Sequence, residues 1–138
     1  MKKIIVFVIV CSVPLWACKK DNIVKSVDIT FLVHEWEVIS MTPSGTNQPQ
    51  NPPQSYIFKF NSAKQLSVVL EVNSCGGFYD LPEPGKITIN WSGCEKICCD
   101  SKYGIEMAYI IIPGLTDYEV KGDTLTLTGS GQIKLKQL

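Results

Sequence analysis

Six cysteines and a single histidine are the residues of this chain with the most chemistry available to them. Cys94, Cys98 and Cys99 form a C-x-x-x-C-C cluster, and Cys75 precedes it. Thiolates at C-x₂₋₄-C spacing hold zinc, and His34 could add an imidazole. In an oxidising compartment the same thiols pair as disulfides instead. His34, beside Glu35 and Glu37, is also the only base available to a nucleophile–histidine–acid arrangement. No nucleophile elbow of the G-x-S-x-G kind accompanies it. A lone histidine on a strand edge usually serves structure or surface, because a catalytic base must meet several geometric roles at once. No catalytic residue is therefore assigned, and the protein is read as a non-enzyme.

The compartment decides between metal and disulfide, and the N-terminus names the compartment. Met1-Lys2-Lys3 is a short basic start, Ile4 to Val13 is apolar, and Ala17 is a small residue ahead of Cys18. Together they describe a secretory signal. The apolar run is shorter than the roughly 20 residues a spanning helix needs. Leu15-Trp16-Ala17-Cys18 resembles the lipobox of bacterial lipoproteins, with bulky Trp16 where that group usually has a small residue. The resemblance implies cleavage after Ala17 and lipidation of Cys18 on its sulfur and its amine, with palmitate-like acyl chains. Several such chains anchor firmly, since each buried CH₂ contributes about 0.8 kcal/mol. Lys19-Lys20, with no aspartate next to Cys18, resembles the pattern sent to the outer membrane. The expected organisation is a signal over residues 1–17, a lipidated tether over 18–25 and one β-domain over 26–138, held on the periplasmic or the surface face.

Cys11 leaves with the signal and Cys18 goes to lipid, so Cys75, Cys94, Cys98 and Cys99 remain. An even number in an exported domain reads as two disulfides, with three connectivities open. A Cys98–Cys99 bridge needs a strained vicinal ring and ranks last. The expectation is Cys75 joined to Cys98 or Cys99, and Cys94 to the other. No metal site and no cofactor is assigned. After cleavage 11 basic residues face 13 acidic ones, a net charge near −2. That excludes the basic footprint of a nucleic-acid binder. The 121 mature residues suit one monomeric domain with a real core.

The elements that must position these residues are short strands. Trp36, Val38 and Ser40 share one face of a first strand, with Glu35, Glu37 and Ile39 on the other. Thr42 to Ser55 holds Pro43, Gly45, Pro49, Pro52 and Pro53 and reads as a long loop. Tyr56, Phe58 and Phe60 alternate in one strand, and Leu66, Val68, Leu70 and Val72 in the next, predicting a hairpin. Asn73 to Tyr79 reads as a corner turned by Gly76 and Gly77, with Phe78 and Tyr79 entering the core and Cys75 tying it down. Ile87, Ile89 and Trp91 then alternate. Ile105, Ala108, Tyr109 and Ile112 have helical spacing, and a buried strand through Met107 to Ile112 is the rival reading. Tyr118 to Leu135 reads as a closing meander with turns at Lys121-Gly122-Asp123 and Gly129-Ser130-Gly131. The fold class is mainly β: a single compact antiparallel barrel or curled sheet of about eight short strands with one packed helix.

Several of these stretches resemble META domains, the HslJ-like group. Trp36-Glu37-Val38 is similar to their first strand, and Asn73-Ser74-Cys75 with Gly77 and Tyr79 to their N-x-C and G-x-Y corner. Tyr118-x-Val120-x-Gly122-Asp123-x-Leu125-x-Leu127 is similar to their closing hairpin. Gly76 and the cysteine run Cys94–Cys99 depart from the group's pattern. The resemblance implies a compact β-structure with a packed helix and carries over no catalytic residue. Lipocalin-like lipoproteins share the tryptophan-led first strand. The expected function is envelope maintenance or protein interaction. Alternatives are a lipocalin-like binder of a small apolar ligand, with the aromatic residues lining a cavity, and an inhibitor of an attacking enzyme such as lysozyme. For an inhibitor, the Thr42–Ser55 loop is the first segment to consider.

Overall fold

The computed structural model describes residues 28–95, 100–111 and 115–138. Cys18, Cys98 and Cys99 lie outside them, as do the signal and the tether. Eight strands run in chain order: β1 Glu35–Thr42, β2 Ile57–Phe60, β3 Gln65–Val69, β4 Ser74–Asp80, β5 Lys86–Cys94, β6 Leu115–Lys121, β7 Thr124–Thr128 and β8 Gln132–Gln137. One helix, α1 Lys102–Ile111, interrupts the β5–β6 connection. Each strand pairs antiparallel with the next, and β8 pairs with β1, so the sheet closes on itself. Closure leaves no edge to template aggregation.

Period-two alternation explains the core. Phe58 and Phe60, Leu66 and Val68, Ile87 and Ile89, Leu125 and Leu127, and Ile133 and Leu135 all point inward and are buried. An eight-stranded barrel is wide enough either to be filled by its own side chains or to hold one small ligand. Here Trp36, Tyr56, Phe58, Tyr79 and Met107 fill it, none more than 2% exposed. Most of the aromatic residues thus pack in the interior, with Trp91 partly buried against it and Phe78 outside.

Both ends of the barrel are closed. At one, residues 28–34 fold over the opening. Leu32 is buried there and its carbonyl accepts the Trp36 indole N–H at 3.0 Å. Phe31 stacks on Tyr118 with centroids 5.6 Å apart. At the other, α1 lies across the opening. The expected apolar face, with Ile105 and Tyr109 on it, is not the one that is buried. Tyr103, Met107 and Ile110, spaced i, i+4 and i+7, are the ones that face the core, while Ile105 and Tyr109 are exposed. Gly129 admits the helix, since a Cβ there would lie 2.5 Å from the Ile110 carbonyl oxygen; at Gly131 it would meet the Thr42 carbonyl oxygen of β1 first and the Ile110 side chain at 3.0 Å.

Two further expectations are corrected. Asn73 to Tyr79 is no corner. Ser74 to Asp80 is strand β4, and the chain turns earlier, where Leu70 N–H bonds Asn73 carbonyl at 2.9 Å. Gly76 and Gly77 take no positive φ and lie inside the strand, at the point where its register with β5 shifts. Consequently Cys75 and Tyr79 point inward, whereas Phe78 points out and is 51% exposed. In β1 the register slips between Val38 and Ser40. Ile39 is the extra, exposed residue of this bulge, and Met41 takes the inward position that strict alternation had given to Ser40.

Gly77 has a steric reason to be glycine: a Cβ there would lie 2.5 Å from the Asn90 carbonyl oxygen. Gly77→Ala is expected to destabilise the domain by about 2 kcal/mol, since the clash is with backbone and cannot be relieved by a rotamer change. Urea unfolding followed by tryptophan fluorescence checks it.

Candidate interaction surface at the helix-capped end

Two carboxylates fasten α1 to the sheet. Asp100 accepts the backbone N–H of Val72 at 3.1 Å and of Asn73 at 3.3 Å, and the Asn73 Nδ2 at 2.5 Å. Glu71 accepts the backbone N–H of Ser101 at 2.5 Å through Oε2, and the Tyr56 hydroxyl through Oε1. Ser101 is the N-cap: its carbonyl takes the first helical bond, from Ile105 N–H, and its Oγ accepts Gly104 N–H at 3.3 Å. The β3–β4 turn and the start of α1 are therefore one polar lock.

Its electrostatics follow from those bonds. Partial burial pushes the Asp100 carboxyl up, but hydrogen bonds from Asn73 and Val72 outweigh it and hold the group below its ordinary value. Burial likewise raises Glu71, and the bonds from Ser101 and Tyr56 more than reverse the shift. Burial, then the Glu71 carboxylate, pushes the Tyr56 phenol up to about 12. Burial alone takes Tyr103 to about 12 as well. These phenols stay protonated near neutrality. They act as donors and as stacked packing, with ring centroids 5.4 Å apart.

The proline-rich loop is braced against this end. Met41 and Gln50 exchange both backbone bonds, at 2.9 and 2.7 Å. Tyr103 donates to the Gln50 carbonyl at 3.4 Å, and Ser55 Oγ donates to Glu37 at 2.6 Å. Clefts open on either side of the loop. One of about 400 Å³ separates Pro43–Asn47 from the β7–β8 turn, and one of about 330 Å³ lies between the loop and Lys102, Tyr103 and Glu106. Tyr109, 65% exposed, stands on the helix at the edge of a smaller cleft against Pro43 and Ser44.

The residues singled out for chemistry are scattered. His34 is exposed at the opposite end, edge-on to Trp36 at 6.1 Å. Glu35 pairs with Lys59 at 2.9 Å and Glu37 holds Ser55, so neither carboxylate orients the imidazole. Among the described residues no group of three or more His, Cys, Asp or Glu side chains could hold a metal ion. Cys75 and Cys94 are disulfide-bonded to each other, with Cα atoms 4.0 Å apart. This corrects the expected pairing of Cys75 with Cys98 or Cys99. Cys75 and Cys94 stand directly opposite in β4 and β5. The next pair carries a backbone bond from Glu95 N–H to the Ser74 carbonyl at 2.9 Å. That makes the cysteines a non-hydrogen-bonded pair, where antiparallel strands come closest. The polar lock was not foreseen. Asp100-Ser101 ahead of an apolar run is a helix-start signal, but its partner Glu71 is thirty residues away.

No family model and no curated protein matches the chain. Two solved structures share its fold. A DUF4847 family protein from Bacteroides vulgatus superposes with a TM-score of 0.58 at 11% identity, over 78% of this chain and 94% of that one. A second protein, solved by NMR, superposes with a TM-score of 0.51 at 17% identity, over 76% and 89%. At those identities the likeness concerns the small barrel alone.

Proposed function

We propose that this protein is a non-enzymatic, META-like lipoprotein of the bacterial envelope that works by protein interaction, with the loop–helix end as its contact surface. The observation that carries the reading is the braced loop beside exposed Tyr109, on a barrel whose interior is already filled. A filled interior leaves little room for the small apolar ligand of a lipocalin-like carrier. A loop fixed before binding loses little entropy on binding. The tether geometry supports the same surface. Asp28 sits at the plugged end, where Phe60 N–H bonds His34 carbonyl and Leu138 N–H bonds Glu35 carbonyl. Ten residues from Cys18 to Val27 reach at most about 36 Å. Lipid on Cys18 would then join the domain at its plugged end, opposite α1 and the loop.

A photo-crosslinking amino acid placed at Ser44 or Tyr109 in cells is expected to trap a discrete protein adduct, and the same group at Thr126 on the barrel wall to trap none. Absence of adducts at both loop–helix positions would sink the reading. Palmitate labelling that survives Cys18→Ser would remove the anchor. The braced loop also favours the inhibitor version of this function, which a lysozyme assay with a Pro43→Gly/Pro49→Gly variant tests.

A further inference from the structure

A trough of about 640 Å³ runs along the outer wall of β1 to β5, away from the loop–helix end. Its size is within the range of roughly 300–1,000 Å³ typical of ligand sites. Ser67, Gly76 and Ser92 form its floor, Phe78 and Gln65 one wall, and the Glu35–Lys59 pair with His34 its far end. Gly76 is the informative residue. It takes no positive φ, and a Cβ there would meet nothing within 4 Å. A side chain would fit at Gly76, unlike at Gly77 next to it, although the pairing of β4 with β5 shifts register between the two. Glycine in a strand interior marks a bulge, a bend or a close approach to the backbone; the β4–β5 register shifts beside Gly76, and the open space over it leaves its backbone accessible.

We propose that this trough binds a neutral glycan, with one pyranose ring lying over Gly76 and its apolar face against Phe78. The lining sets the chemistry. Lys59 is held by Glu35 at 2.9 Å, so the trough offers no uncompensated cation to an anionic ligand. Phe78 stands 51% exposed, a flat apolar surface with no side chain over it from Gly76. Around it Gln65, Ser67 and Ser92 supply amide and hydroxyl groups that both donate and accept. A ligand with one flat apolar face and a rim of hydroxyls matches that arrangement. A fatty acid would leave the polar groups unpaired, and burying them without partners is unfavourable.

The test is a ¹⁵N titration of the full chain in detergent with four neutral hexasaccharides at millimolar concentration: cello-, malto-, manno- and N-acetylglucosamine oligomers. Shifts at Ser67, Gly76, Phe78 and Ser92 with at least one of them are expected. Gly76→Phe, which fills open space, and Phe78→Ala, which trims an exposed ring, should each weaken binding at least tenfold while leaving the thermal midpoint within a few degrees. No shift with any of the four sugars overturns the proposal, as does binding that both variants retain. Displacement of the site by an anionic heparin hexasaccharide or by palmitate, with the neutral sugars inert, assigns the trough to another ligand class and overturns it too. Loss of crosslinks at Ser44 and Tyr109 leaves this result untouched, because the two surfaces do not overlap.

Discussion

Asp100→Ala is expected to lower the free energy of unfolding by about 3 kcal/mol and to loosen α1 from the barrel. Three hydrogen bonds to one carboxylate are lost together. A bond to a charged group contributes roughly 1.5–3 kcal/mol, and three that share an acceptor do not add in full. The effect should spread beyond the turn. Glu71 holds Ser101, the residue following Asp100, so freeing Asp100 weakens the N-cap and with it the stacking of Tyr103 on Tyr56. Hydrogen exchange should speed up at Gly104 and Ile105 before it does in β7 or β8.

The pH dependence of this lock has a definite sign. Asp100 and Glu71 both lie below their ordinary values of 3.8 and 4.5 when folded. The unfolded chain therefore takes up protons first as pH falls. The stability these groups contribute is complete above pH 5 and is lost on the way down through the folded values. The gap between the natural chain and Asp100→Ala should be widest at pH 7 and narrow below pH 3.8. Tyr56 works in the opposite direction. Its folded value is raised from 10.0 to about 12, so what it contributes is complete below pH 10 and lost as pH rises through 12. Urea midpoints at pH 3, 5, 7 and 9 separate the acid effect, with the upper three expected to agree closely.

What could be read in advance depended on whether a signal was local. Alternation in Tyr56–Phe60, Leu66–Leu70 and Ile87–Ile89 depends only on the two-residue period of a strand, and the barrel shows it directly, whereas Val72, expected to continue the second run, lies beyond β3 and is exposed. The helix was expected from the spacing of Ile105, Ala108, Tyr109 and Ile112, but Ile105 and Tyr109 on that face are exposed, because apolar residues occur on both sides of the segment. Packing against Tyr56 and the Gly129–Gly131 turn chose Tyr103, Met107 and Ile110. The Gly76–Gly77 pair misled for a general reason. Glycine permits a turn without requiring one, and here cross-strand crowding at Asn90 accounts for Gly77 instead. The bulge at Ile39 and the lock from Glu71 to Ser101 depend on strands and turns far apart in the chain, which no window of sequence contains.

Opening the Cys75–Cys94 bridge is expected to remove about 3 kcal/mol of stability. The two residues are 19 apart, and closing a loop of that length in the unfolded chain removes entropy equivalent to about 3 kcal/mol. Cys75→Ser/Cys94→Ser should match the reduced natural protein, with Cys75 adding the penalty of a hydroxyl on the buried side of β4. Mapping under non-reducing conditions should recover Cys75 linked to Cys94. A fragment joining Cys75 to Cys98 or Cys99 would overturn the strand register that sets them opposite. The bridge and the polar lock restrain the same end of the barrel, since Asn73, bonded to Asp100, lies two residues before Cys75. Once either is removed, the chain from β5 into α1 has more freedom in the native state, and the other has less order left to hold. Combining Asp100→Ala with the double serine variant should therefore cost less than the sum of the two, by about 1 kcal/mol. Strict additivity would mean that helix and hairpin are independent units, and that the surface built on α1 owes nothing to the disulfide.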